Sequence, residues 1–196
     1  MAPDISIVVA RSLNEAVAHL SAGGARVAAG GTELAASLQI DGPWTSKVVD
    51  ISQIDDLKGF DRTPDGGLRI GALSTLAEVI LHPTVRGAYA GLSQAALAAG
   101  QVDTRARATI GGNICQRPRC WFYRGGYDCA RKGGGECFAV AGDNRYHCLF
   151  GGSTCLIVHP SDTATALSAL GAYPPSNFPW YRAMSCGRAC LPPVTR

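Results

Sequence analysis

Charge is in short supply. Asp, Glu, Lys and Arg make up 17% of the 196 residues, against roughly a quarter in soluble domains generally. The arginines are scattered, with no basic run and no interleaved aromatics, so no nucleic-acid partner is expected. Long apolar runs are missing too. About 20 consecutive apolar residues are needed to cross a bilayer, so no membrane insertion is expected. The N-terminal Met1-Ala2-Pro3-Asp4 lacks the basic-then-apolar layout of an export signal. A cytoplasmic chain is expected on that ground, or a periplasmic one if it is exported with a signal-bearing partner. Also absent is Cys-x-x-Cys, the spacing of common zinc modules, although the chain holds 8 cysteines. Without an export signal, those thiols argue against a disulfide framework and for metal or redox chemistry.

What is present is enough to bury a core. Hydrophobic residues are 46% of the chain and Gly is high at 24, a size and composition that suit one or two small domains. Ser6 to Ala10 is a short β-branched run that reads as a strand. Ser12-Leu13-Asn14-Glu15 has capping-box spacing, and Leu13, Ala16, Val17 and Leu20 then share one helical face. Gly23-Gly24 ends that helix. A second strand over Arg26 to Ala29 runs into Gly30-Gly31-Thr32-Glu33-Leu34 and a second helix to about Ile40. Lys47 to Ile51 is a third strand. Order β-α-β-α-β implies a small parallel sheet covered by helices.

A boundary near residue 56 divides a 1–55 subdomain from a larger one over 56–172. In the second, Asp65-Gly66-Gly67 is a turn before a strand from Leu68 to Gly71. Thr75 to Glu78 is another capping box, and Thr84 to Ala99 predicts one helix. From Tyr173 to Arg196 the chain holds five of its eleven prolines, shows no period, and reads as a poorly ordered tail.

Three stretches carry candidate chemistry. Ala29-Gly30-Gly31-Thr32-Glu33 joins a strand to a helix, where glycines allow close backbone approach and a helix start favours pyrophosphate. By itself it is neither the full dinucleotide fingerprint nor a P-loop. Thr109-Ile110-Gly111-Gly112-Asn113 is a second backbone-permissive turn, either the other grip on one extended nucleotide or a plain β-turn with Asn in a left-handed conformation. The third stretch, an insert over 115–158, is rich in Gly, Cys and Arg. Eight residues separate Cys120 from Cys129, seven more precede Cys137, and seventeen precede Cys155. Such spacings suit an iron–sulfur cluster wrapped by a loop, with nearby arginines favouring the thiolates. Structural zinc in a non-enzymatic module stays open as an alternative. A segment of this composition is expected to need a metal centre rather than side-chain packing to order it. Cys115 and Cys148 are expected to be small buried residues outside the ligand set.

The residues also resemble a known family. Ala29 to Leu34, Leu68 to Ala72, Ala108 to Asn113 and His159-Pro160-Ser161-Asp162 are similar to the FAD-binding subunit of molybdenum hydroxylases, which include xanthine dehydrogenase, aldehyde oxidase and carbon monoxide dehydrogenase. Arg117-Pro118-Arg119-Cys120-Trp121, Cys129 to Lys132, Gly135-Glu136-Cys137 and Cys155 to Asp162 resemble the aldehyde oxidoreductase branch, whose flavin subunit carries an extra 4Fe-4S cluster. The resemblance implies an α+β, PCMH-type FAD-binding fold of two subdomains. It implies FAD contacts from Arg26, Val27, Ala28, Ala29, Gly30, Gly31, Thr32, Glu33 and Leu34, and from Thr109, Gly112, Asn113 and Asp162. It implies Cys120, Cys129, Cys137 and Cys155 as cluster ligands, and no residue catalytic toward substrate. It further implies an electron-transfer subunit working beside a molybdopterin-binding large subunit and a 2Fe-2S small subunit. The likeness stops near Ala172, where family members continue, so a truncated or frame-shifted chain, inactive in isolation, stays open as an alternative expectation.

Overall fold

A computed structural model describes residues 5–34, 46–150 and 154–172, and the backbone of 188–191. The expected helix beyond Leu34, the residues around Gly152 and most of the tail, Cys186 included, lie outside the described residues.

Three short strands form the first sheet: β1 (Ser6–Val9), β2 (Ala25–Ala28) and β3 (Lys47–Asp50). All pair in parallel in the order β1-β3-β2, with Val8 and Val27 both opposite Val49. The central strand is apolar on both faces, as a sandwiched parallel strand must be, and Val48 and Val49 are both buried. Helix α1 (Leu13–Ser21) lays Ala16 on this sheet. Ser12 caps it by accepting from the Glu15 N–H at 3.2 Å. Glu15 reaches back one residue further than a capping box requires and accepts from the Arg11 N–H at 2.9 Å.

The second sheet is antiparallel. Strand β4 (Phe60–Arg62) turns at Gly66, whose φ of +87° suits only glycine, into β5 (Leu68–Gly71). On the other side of β5 lies β6 (Arg188–Leu191), with Leu68 opposite Leu191. These four are the residues described within the tail expected to be poorly ordered, and they form a strand. An open strand edge presents unpaired N–H and C=O groups, and pairing with it depends on that partner rather than on any period in the tail.

Helices cover the second sheet. Helix α2 (Leu76–Leu81) opens with a true capping box: Thr75 Oγ1 accepts from the Glu78 N–H at 3.2 Å, and Glu78 accepts from the Thr75 N–H at 2.7 Å. The helix expected over Thr84 to Ala99 is two, α3 (Pro83–Ala88) and α4 (Ala90–Ala98), broken at Tyr89 (φ −127°, ψ 46°). Val85, Tyr89, Leu92 and Ala96 are buried in one cluster whether or not the chain is continuous, so their period does not reveal the break. Gly87 lowers helix propensity just before it. Helices α5 (Val102–Arg107), α6 (Ile110–Ile114), α7 (Trp121–Arg124) and α8 (Asp162–Ala169) follow. The whole is an α+β fold.

Two apolar clusters hold it. The larger contains Leu68, Ile70, Leu76, Val79, Leu92, Ile110 and Leu167. The smaller joins Ala10, Ala16 and Val49 to Ile54, Leu57 and Leu73. Leu57 and Leu73 belong by sequence to the second unit, yet they fill the core of the first, which ties the two together.

Leu92 is fully buried and Leu97 is 54% exposed. Leu92→Ala should therefore lose about 2–5 kcal/mol in urea unfolding, and Leu97→Ala about 0.5 kcal/mol or less. Equal losses would place Leu92 outside the core.

Candidate functional site

A cavity of about 740 Å³ opens where the two units meet. Its walls are the chain leaving β2, the loop into α2, the end of α5, helix α6 and the start of the cysteine insert. Leu13, Leu20, Leu57 and Leu73 give it an apolar side.

Glycines determine how closely these walls approach. A β-carbon on Gly30 would run into the Arg107 carbonyl. Gly31 has φ +75° and open space around it. A β-carbon on Gly111 would meet the Ala72 carbonyl oxygen at 2.8 Å. Gly111 is held there by donating its N–H to that carbonyl at 2.9 Å, while Ile110 donates to Ser74 at 2.8 Å. The stretch expected to be a permissive turn is thus helix α6, and no positive φ occurs at Gly111, Gly112 or Asn113. Its glycines serve close contact rather than a left-handed backbone.

Every flavin-contact residue implied by the resemblance lines this cavity: 26–34, Thr109, Gly112, Asn113 and Asp162. The fold uses several of their side chains internally. Thr109 Oγ1 accepts from the Gly112 N–H at 3.1 Å. Asn113 Oδ1 accepts from Ser161 Oγ at 2.6 Å and Thr163 Oγ1 at 2.7 Å, fixing α8 to α6. Glu33 pairs with Arg124 at 2.9 Å, both side chains largely buried. Thr109, Asn113 and Glu33 therefore shape the wall, and a ligand would meet chiefly backbone and cations.

Of those cations Arg26 was expected, while the place of two insert arginines, read only as neighbours of the thiolates, was missed. Arg117 and Arg119 line the cavity beside Arg26. The protein atoms around Arg26, and next the like charge of Arg117, lower its pKa from the ordinary guanidinium value. Cys115, expected to be buried, is exposed and also lines the cavity. Only their nearness to Gly111-Gly112 in the chain could have marked them.

The cysteine insert departs from expectation. No disulfide joins any of the six described cysteines. Among the described residues, no three Cys, His, Asp or Glu side chains come together as metal ligands, Cys120, Cys129, Cys137 and Cys155 included. Cys129 is buried beside a short bridge to Glu136. Cys120 faces His147, Sγ to Nε2 at 3.2 Å. Cys148 is half-buried rather than buried. Side-chain packing orders part of this loop after all: the Phe122 ring stands 5.1 Å from Tyr127 and 6.1 Å from both Phe138 and His147, with Ala139 fully buried. The expectation that so Gly-rich a loop builds no core overlooked how much area a few aromatics bury.

Residues 3–173 match the model of the FAD binding domain in molybdopterin dehydrogenase. The chain belongs to this FAD-binding family. The aldehyde oxidoreductase FAD-binding subunit PaoB of Escherichia coli K12 is 38% identical over 152 residues, 76% of this chain and 48% of that subunit. The nicotinate dehydrogenase FAD-subunit of Eubacterium barkeri is 34% identical over 90 residues, 45% of this chain and 29% of that one. Among solved structures, carbon monoxide dehydrogenase from Hydrogenophaga pseudoflava superposes with TM-score 0.55 and 28% identity, covering 59% of this chain and 40% of that chain. Quinoline 2-oxidoreductase from Pseudomonas putida 86 gives 0.54 and 26%, with the same coverage of both chains. The chain spans less than half the length of each of these relatives.

As an FAD-family chain, it should depend on Gly30 and be indifferent to Gly126, which has nothing near its β-position. Gly30→Ala should abolish the cooperative unfolding transition or lower its midpoint sharply, and Gly126→Ala should leave it unchanged. A well-folded Gly30→Ala protein would show that the β2–α5 approach is not required.

Proposed function

We propose that this chain binds FAD in the glycine-walled cavity and acts as an oxidoreductase subunit of a molybdenum-containing, aldehyde oxidoreductase-like enzyme. It would work with a molybdopterin-binding subunit and a 2Fe-2S subunit. The observation that supports this reading best is that 26–34 and Thr109, Gly111, Gly112 and Asn113, far apart in the chain, line one cavity with Asp162. Its volume lies within the ordinary cofactor range of roughly 300–1,000 Å³.

The residues present fit a flavin dinucleotide. Gly31 leaves open space at the turn out of β2, with a φ of +75° that glycine adopts without strain. Arg26, Arg117 and Arg119 supply positive charge for a pyrophosphate, and the Leu13, Leu20 and Leu73 side supplies apolar surface for ring systems. Bound there, FAD would supply the chemistry that passes between one- and two-electron donors and acceptors. The chain's own part is to orient it, keep water from the apolar side, and fix the wall through Asn113, Ser161 and Thr163.

The 4Fe-4S part of the reading rests on four cysteines in the family's order within one insert. Among the described residues no three of them meet as ligands, and no step is routed through a cluster. Among the described residues, no helix is long and apolar enough to cross a membrane.

Anaerobically purified protein should take up FAD with the flavin absorbance bands, at about one per chain by the single-cavity reading. A protein that stays colourless in excess FAD would reject the flavin reading. Iron and sulfide reconstitution tests the insert separately. Cys137→Ser should lose the iron and Cys148→Ser should keep it. Equal loss from both, or zinc with no sulfide, would remove the cluster from the proposal.

A further inference from the structure

The cationic wall of the cavity comes largely from the insert rather than from the glycine turns. Arg117 Nε donates to the Tyr123 hydroxyl at 2.9 Å, and its guanidinium stands 5.0 Å from the centre of the same ring. A side chain gripped at both its edge and its face has little rotamer freedom left, so its charge is fixed in position. Tyr123 lies on α7, and α7 is seated by Arg124. The Arg124 Nε donates to the Pro118 carbonyl at 2.8 Å, and the other arm reaches Glu33, 91 residues away, at 2.9 Å.

That ion pair has a second consequence. Glu33 is a carboxylate in the cavity wall, and Arg124 neutralises it from the insert side, with Arg119 at 3.9 Å. Arg26 and Arg117 both line the cavity, close enough for the charge of Arg117 to act on Arg26. Two guanidiniums on one wall favour a ligand group with more than one negative charge, and their forked donors match phosphoryl oxygens.

We infer that Arg117, held by Tyr123, contacts the diphosphate of the bound dinucleotide, and that the Arg124–Glu33 pair is the positioning contact that seats the insert for it. This deepens the flavin reading and rests on it for the identity of the dinucleotide.

The test is calorimetric titration of the full chain with ADP, at several salt concentrations, with FAD titrated alongside. Arg117→Gln should weaken ADP binding roughly ten- to a hundredfold, the usual worth of a charge-assisted hydrogen bond. It should also flatten the salt dependence, because the screened Coulomb contact is gone. Arg117→Lys should keep the wild-type salt slope. Arg124→Leu should weaken ADP binding in the same direction, and Arg124→Lys should restore most of it. Unchanged ADP affinity in Arg117→Gln, weakened affinity with a parallel salt curve, or no ADP binding by the wild type would each overturn the inference. Wild-type protein that binds ADP but not FAD would sink the flavin reading alone.

Discussion

Gly30 lies so close to the Arg107 carbonyl that the end of β2 and the end of α5 share a space with no room for a β-carbon. From that approach the rest of the site follows. It brings the turn after β2 against the chain entering α6, and hydrogen bonds from Leu76 to Ala108 and from Gly111 to Ala72 lock the second unit's side. The cavity is what remains between two backbones held at a distance that side chains would have filled. The same logic explains why Leu57 and Leu73 sit in the smaller cluster: the joint is made by sharing apolar residues, not by a linker.

The insert then completes the cavity rather than standing apart from it. Its helix α7 has only four residues and no buried one, so it has little stability of its own. Among the contacts that hold it are the Arg124–Glu33 pair, the Arg117–Tyr123 contact and the ring cluster around Phe122. A buried ion pair of this kind is weak support for stability, since desolvation offsets much of the attraction, but it specifies one register between two distant segments. Charge and aromatic packing therefore order part of a loop in which a metal centre alone was expected to do so.

Much of the frame was legible beforehand. The β-branched runs at Ser6 and Lys47, the Gly23-Gly24 stop and the Thr75–Glu78 box each report a local preference that tertiary structure did not override. Both glycine motifs were legible as backbone-permissive stretches. What they approach was not: nothing near Gly30 in sequence points to Arg107, and nothing near Asn113 points to Ser161. The break at Tyr89 was hidden because its neighbours keep one apolar period across it. Strand β6 was hidden because a four-residue strand on an open edge takes its conformation from β5.

The sequence by itself determined which segments could become strands and helices, where glycine was obligatory, and which family the chain resembles, because periodicity, caps and short motifs are properties of neighbouring residues. Only the tertiary structure decided that Arg117 and Arg119 line the cavity, that Glu33 is engaged by Arg124, and that no three of the insert thiols meet as ligands among the described residues. Those outcomes depend on pairings across up to 91 residues, which are selected by shape and charge in the folded chain and leave no local pattern behind.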